Sequence, residues 1–190
     1  MVDEDEIIRR CQDGQIRLMD ALIDRYQVPL YTLCRKLARE RSDADDLFQD
    51  TWAGALTRIR SFSLGQPFRP WLFAICVNRY RDGYRKRVRW RRRLRPFHSR
   101  EDEAGIADEV SAPADGPHER LERAERLRTL ARGMRVLDDD HRVPLVLHYD
   151  RGLPLREVAE ILGIPEGTVK SRLSHARARL REWMETHSHG

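Results

Sequence analysis

Apolar residues recur every three or four positions over most of the chain, the period of helices that bury one face. Across residues 15–39, Leu18, Leu22, Tyr26, Leu30, Leu33 and Leu37 fall on one side, predicting a long core-forming helix with Pro29 as a kink or break. A shorter helix over residues 4–13, stopped near Gly14, precedes it. The next begins at Ser42, a capping residue with Asp45 three positions on in a capping-box-like arrangement. Its apolar face carries Phe48, Trp52, Ala55 and Ile59, and Asp46, Gln49, Asp50 and Ala53 lie roughly opposite. Residues 61–70, SFSLGQPFRP, contain Gly65, Pro67 and Pro70 and read as a loop. The helix expected from Trp71 is apolar nearly all round in its first half and densely basic in its second.

A second set of helices follows. Leu121, Ala124, Leu127, Leu130 and Ala131 have helical spacing, and residues 138–140 open a helix whose core is Val143, Leu145, Val146 and Leu147, before a turn at Gly152. The sharpest pattern runs over residues 155–181. Val158, Ala159, Ile161 and Leu162 are helical, Gly163 supplies a stop that tolerates a left-handed backbone, and Pro165 suits the start of another helix. There Val169, Leu173, Ala176 and Leu180 share one face, while Lys170, Ser171, Ser174, His175 and Arg181 point away. Two short helices about a glycine turn, with donors on the outer face of the second, predict a helix-turn-helix. Lys170 and Arg172 lie near the helix N-terminus, where such a helix enters the major groove, and Ser171 and His175 can donate to bases or phosphates. The competing reading is a helical hairpin whose polar face is only solvated.

Charge sharpens the picture. The net charge of +5 is zoned as −4 over residues 1–57, +12 over 58–95, −5 over 96–126 and +2 over 127–190. Between Arg85 and Arg95, 8 of 11 residues are Lys or Arg, with Trp90 among them. Opened DNA calls for that mixture, because unstacked bases need a flat face and the backbone needs cations. Trp71, Phe73, Tyr80 and Tyr84 add aromatics, for which core packing is the competing role. The acidic stripe on the third helix is either plain solvated surface or a docking face for a basic partner. Metal catalysis by Asp43, Asp45, Asp46 and Asp50 is disfavoured, since these positions splay around a helix and no His or Cys stands near. No metal, cofactor or catalytic residue is therefore expected, and the two His of the terminal THSHG are too few to change that. Cys11, Cys34 and Cys76 are far apart without a CxxC pair and read as small core residues. With no apolar run of roughly 18 residues and an acidic MVDEDE start, a cytoplasmic protein without membrane insertion is expected. Residues 96–118, acidic and rich in Ala, Pro and Gly, read as a flexible linker.

The segments DADDLFQDTWAGAL and FRPWLFAICVNRYRDGYRKR resemble the second conserved region of bacterial sigma factors, and LPLREVAEILGIPEGTVKSRLSHARARLRE resembles the fourth. The small size and short linker resemble the extracytoplasmic-function (ECF) group of the sigma-70 family. The resemblance implies an all-α protein of two small helical domains: a region 2 bundle at 1–95, the linker at 96–118, and a region 4 helix-turn-helix domain at 119–190. It implies a subunit that brings core RNA polymerase to promoters and opens the duplex, with no cofactor. Asp46, Gln49 and Asp50 match the stripe that docks on the clamp helices of the β′ subunit. Phe62, Ser63, Leu64, Trp71, Asn78, Arg81, Tyr84, Arg85 and Lys86 match parts that read and open the minus-10 element. Thr168, Lys170, Ser171, Arg172, His175 and Arg177 match the minus-35 reader. The implied partners are core polymerase, through its β′ clamp helices and β flap, promoter DNA and an anti-sigma factor, with the free chain monomeric. Three features depart from the pattern: His175 where relatives often carry a longer basic residue, Pro165 where a Ser-like cap is common, and the Arg-rich VRWRRRLR. One rival, an autonomous helix-turn-helix regulator acting without polymerase, leaves the acidic stripe and the basic aromatic helix without a job. A recombinase-like enzyme would need a nucleophile or metal constellation that the sequence does not offer.

Overall fold

The structure, a computed structural model, describes residues 3–38, 40–93, 129–130 and 132–187, with side chains for all but 84–93. Every regular element among them is helical. The chain divides into two compact units, Met1–Asp102 and Glu103–Gly190. The linker expected at 96–118 and the helical positions Leu121, Ala124, Leu127 and Ala131 lie outside the described residues.

In the first unit, α1 (Glu4–Gln12) ends before Gly14, whose φ of 97° is the left-handed backbone its position required. A 3₁₀ turn at Ile16–Leu18 leads into α2 (Met19–Leu37), which runs through Pro29 as one helix. Leu22, Leu30, Leu33 and Leu37 are fully buried along it. α3 (Arg41–Arg58) starts one residue before Ser42, with Glu40 at the cap position and no side-chain cap bond; Ser42 stands in the first turn instead of capping it. Its buried line includes Ala44, Leu47 and Thr51, besides the expected Trp52 and Ala55. After a 3₁₀ turn at Ile59–Ser61, the chain crosses a short loop into α4 (Phe68–Arg93). That helix begins three residues earlier than the two prolines suggested, because Pro70 falls in its first turn, where a missing N–H costs nothing. Phe68, Leu72, Phe73 and Val77 drive it into the core, each such burial stabilising by about 1.5–3 kcal/mol. Cys34 and Cys76 join α2 to α4, buried with their Sγ atoms 3.7 Å apart as free thiols. Hydrogen bonding between the two, and burial, push the Cys34 thiol far above its ordinary value.

In the second unit, a helical turn at 132–136 precedes α5 (Asp139–Leu145), which widens into a π turn at Val146–Asp150. α6 (Leu155–Leu162) and α7 (Glu166–His187) follow. Asp138 caps α5, its carboxylate accepting the His141 N–H at 3.1 Å. Val143, Val146, Leu147, Val158 and Ile161 form the core with Val169, Leu173, Ala176 and Leu180 of α7, all four at their predicted positions. Leu130, which shares the helical spacing expected over 121–131, is 40% exposed. Gly133 has another role: a Cβ there would lie 2.9 Å from Trp183 Cε3, so only glycine lets the 132–136 turn press against α7.

Candidate nucleic-acid interface

The acidic stripe is real surface. Asp46, Gln49, Asp50 and Ala53 lie at steps of three, one and three along α3, and all four are exposed. The helix is fixed behind them by aromatic contacts. The Tyr31 hydroxyl on α2 donates to Asp45 Oδ1 at 2.7 Å, and the Tyr31, Phe48 and Trp52 rings meet edge to face. The bond to Asp45 and partial burial push the Tyr31 phenol above its ordinary value.

The loop between Ser61 and Phe68 has two halves. Phe62 turns inward, 5% exposed, its ring 5.7 Å from that of Phe68 and 5.1 Å from that of Trp71. Phe62, expected among the minus-10 residues, anchors the loop in the core here, and Trp71, half-buried against it, shares that duty. Ser63, Leu64, Gly65, Gln66 and Pro67 are exposed, and Gly65 has φ 80°. The Gln12 amide of α1 donates to the carbonyls of Ile59 and Phe62 at 3.0 and 2.8 Å, and the Gly65 N–H donates to Asp5 Oδ1 at 3.2 Å. Further along α4, Asn78 is exposed and Arg81 partly so. Tyr84, Arg85 and Lys86 continue the helix, but their side chains lie outside the described residues, as do those of the basic run beyond them.

The helix-turn-helix is built as its sequence requires. α6 stops at Gly163, with φ 64° and ψ 37°, and the Ile164 N–H returns to the Ala159 carbonyl at 3.1 Å. Pro165 stands just outside α7; its carbonyl accepts from the Thr168 and Val169 N–H groups at 2.9 and 3.2 Å. Lys170, Ser171, His175 and Arg177 are exposed and Thr168 partly so. Lys170 pairs with Glu166 one turn back at 3.0 Å. Arg172 departs from the group, because its guanidinium faces Asp140 of α5 at 3.0 Å and its side chain is only 24% exposed. In this structure the Arg172 guanidinium ties α7 to α5, while the other expected minus-35 residues of α7 face outward.

Sequence reasoning missed the acidic start of α5 as a partner of α7. Asp138 accepts from Arg179 at 3.0 Å and from the His141 ring at 2.6 Å, and the His141 ring lies 6.0 Å from that of His175. Burial would raise the Asp138 carboxyl, but the hydrogen bonds and charge of His141 and Arg179 outweigh it and hold it below its ordinary value. Three consecutive aspartates were the available signal, and they read only as a helix start. Among the described residues no group of His, Cys, Asp and Glu could hold a metal ion, and no helix is long and apolar enough to cross a membrane.

One unit with an outward acidic stripe and a basic helix, and a second with a helix-turn-helix, define a two-module DNA-binding protein. Family models locate both modules: sigma-70 region 2 matches residues 22–91 and sigma-70 region 4 matches residues 133–182. The RNA polymerase sigma factor CnrH of Cupriavidus metallidurans is 30% identical, over 98% of this chain and 97% of its own. The ECF sigma factor SigM of Mycobacterium tuberculosis is 32% identical over 88% of this chain and 77% of its own. A solved structure of CnrH in complex with the cytosolic domain of CnrY superposes with a TM-score of 0.67, at 27% identity, covering 97% of this chain and 98% of that one. The chain belongs to the ECF group of the sigma-70 family of RNA polymerase sigma factors. It acts with core RNA polymerase at promoter DNA to initiate transcription, and the polymerase-independent regulator is not favoured.

Proposed function

We propose that the two units divide promoter recognition between them and that each step falls to the following side chains. Asp46, Gln49 and Asp50 of α3 dock on the β′ clamp helices. Ser63 and Leu64 of the loop receive a base of the opened minus-10 strand, with Asn78 and Arg81 along α4 and the cations from Arg85 onward against the phosphates. Thr168, Lys170, Ser171, His175 and Arg177 of α7 meet the minus-35 element in the major groove. The chain contributes no bond-making chemistry of its own; it recruits, reads and stabilises the opened strand. CnrH is held by the cytosolic domain of CnrY in its solved complex, and by likeness this chain takes an anti-sigma partner and works in the cytoplasm, monomeric when free.

The observation that carries this reading is the joint exposure of Asp46, Gln49 and Asp50 on a helix whose other side is buried. Run-off transcription with purified core polymerase on a pool of genomic promoters tests it. The wild type is expected to give specific transcripts. Asp46→Ala/Gln49→Ala/Asp50→Ala should lose them along with core binding, while binding of the free protein to DNA persists. Normal core binding by the triple variant would refute the docking face.

A further inference from the structure

The loop assigned to base capture is short of internal support. Its one backbone hydrogen bond within residues 63–67 is from the Gln66 N–H to the Ser63 carbonyl at 3.3 Å, and these residues are all exposed. What holds it comes from α1. Asp5 and Gln12 stand seven residues apart, two helical turns, and so lie on one stripe of α1, with buried Ile8 between them. The Gln12 amide bridges two carbonyls on either side of Ser61, those of Ile59 and Phe62, where the chain leaves the 3₁₀ turn. Asp5 accepts the N–H of Gly65 at the loop tip. The far end is secured by the same helix through a relay. Glu4 accepts from Tyr26 at 2.6 Å and Arg25 at 2.9 Å, and the Tyr26 ring packs 5.3 Å from Phe68, the first residue after the loop. Burial and the bond to Glu4 push the Tyr26 phenol up to about 12.

We propose that α1 is a strut that shapes the minus-10 capture loop, with Gln12 and Asp5 as positioning residues that set how sharply it discriminates the captured base. The proposal rests on the assignment of the loop above and extends it to residues that lie before the region 2 match at 22–91. The physical ground is preorganisation. A base that leaves the stack costs a few kcal/mol, and a loop already in its receiving shape does not add an ordering cost to that. A side chain that ties two carbonyls and a carboxylate that ties the tip act on the DNA only through loop geometry.

The test uses holoenzyme reconstituted with full-length variants, on a promoter recovered from the run-off pool and on its derivatives carrying each of the four bases at every minus-10 position. Open-complex formation is read by permanganate reactivity of unpaired thymines, and core affinity is measured in parallel. Gln12→Ala should lower opening on the best promoter about tenfold, the scale of one or two lost hydrogen bonds, and should narrow the ratio between preferred and disfavoured bases. Asp5→Ala should do the same about threefold, and Asp5→Asn, whose amide oxygen still accepts, should stay within about twofold of wild type. Core affinity should not change, because the α3 stripe is untouched. Ser63→Ala/Leu64→Ala separates the two readings. If it alters base discrimination while Gln12→Ala and Asp5→Ala do not, the strut is overturned and the loop assignment stands. If it leaves discrimination unaltered, the loop is not the reader and the strut falls with it. A parallel loss of core affinity and opening in Gln12→Ala and Asp5→Ala, with base ratios intact, would reduce α1 to a general fold support and overturn the proposal.

Discussion

Asp138 shows how much one side chain can carry. It caps α5, accepts from His141 and reaches Arg179 on α7, so its loss removes a cap and loosens α7 together. Asp138→Ala should destabilise the second unit by about 1 kcal/mol, the usual worth of a cap, measured by chemical denaturation near neutral pH. Its carboxyl is depressed in the folded state, so the folded form binds that proton less readily than the unfolded form. The contribution is therefore present above the ordinary value of 3.8 and is lost as pH falls through it toward the lower folded value. Asp138→Asn keeps the cap acceptor and should flatten this acid dependence; an unchanged acid limb would show that other carboxylates control it. At this scale the sequence was only partly legible. Phe62 and Arg172 belong to types that commonly meet nucleic acid, yet one is buried against Phe68 and Trp71 and the other is paired with Asp140. Both contacts come from elsewhere in the fold, and local spacing carries no trace of them.

Elements were more legible than residues, because an element needs only a period and a stop. The four buried positions of α7 and the left-handed Gly163 follow from spacing and backbone chemistry alone. A Cβ at Gly163 would meet nothing within 4 Å, so the cost of substitution there is purely conformational. Gly163→Ala should lower stability by about 1–2 kcal/mol and Gly163→Asn by less, read from thermal unfolding. Equal losses for the two would point to a contact and not to the backbone angle. The misjudged ends have a common cause. α3 and α4 both start earlier than Ser42 and Trp71 suggested, because capping and proline signals mark where a helix can begin while the burial of Ala44 and Phe68 decides where it does. Leu130 is the reverse case, with helical spacing but 40% exposure.

For the whole molecule, charge is the legible quantity. The +12 zone at 58–95 sits between the −4 and −5 zones, and only the first unit carries so concentrated a basic run. Binding of the free protein to DNA should accordingly be steeply salt-dependent, with log affinity falling against log salt by about 0.9 for each phosphate neutralised. Arg91→Ala/Arg92→Ala/Arg93→Ala should shallow that slope by up to about 2.7 in a fluorescence titration across salt, and an unchanged slope would show that these three do not meet the backbone. The two-unit architecture was visible in the sequence because each unit has its own hydrophobic period. The tie from α1 to the loop was not, since it depends on Gln12 reaching residues 47 and 50 positions away.

With the outward face of α7 as the proposed minus-35 reader, its circumference also bears on how a promoter preference can change over time. Its packing residues, Val169, Leu173, Ala176 and Leu180, are buried, and the side chains that face outward, Lys170, Ser171, Ser174, His175 and Arg177, are exposed. Substitutions on the outward side therefore leave the core of the unit almost unburdened, and new binding sequences are accessible by single steps through folded intermediates. Arg172 is the exception: tied to Asp140, it can drift only in concert with α5, so the two helices form a coupled pair in descent even where the rest of the face is free to diversify.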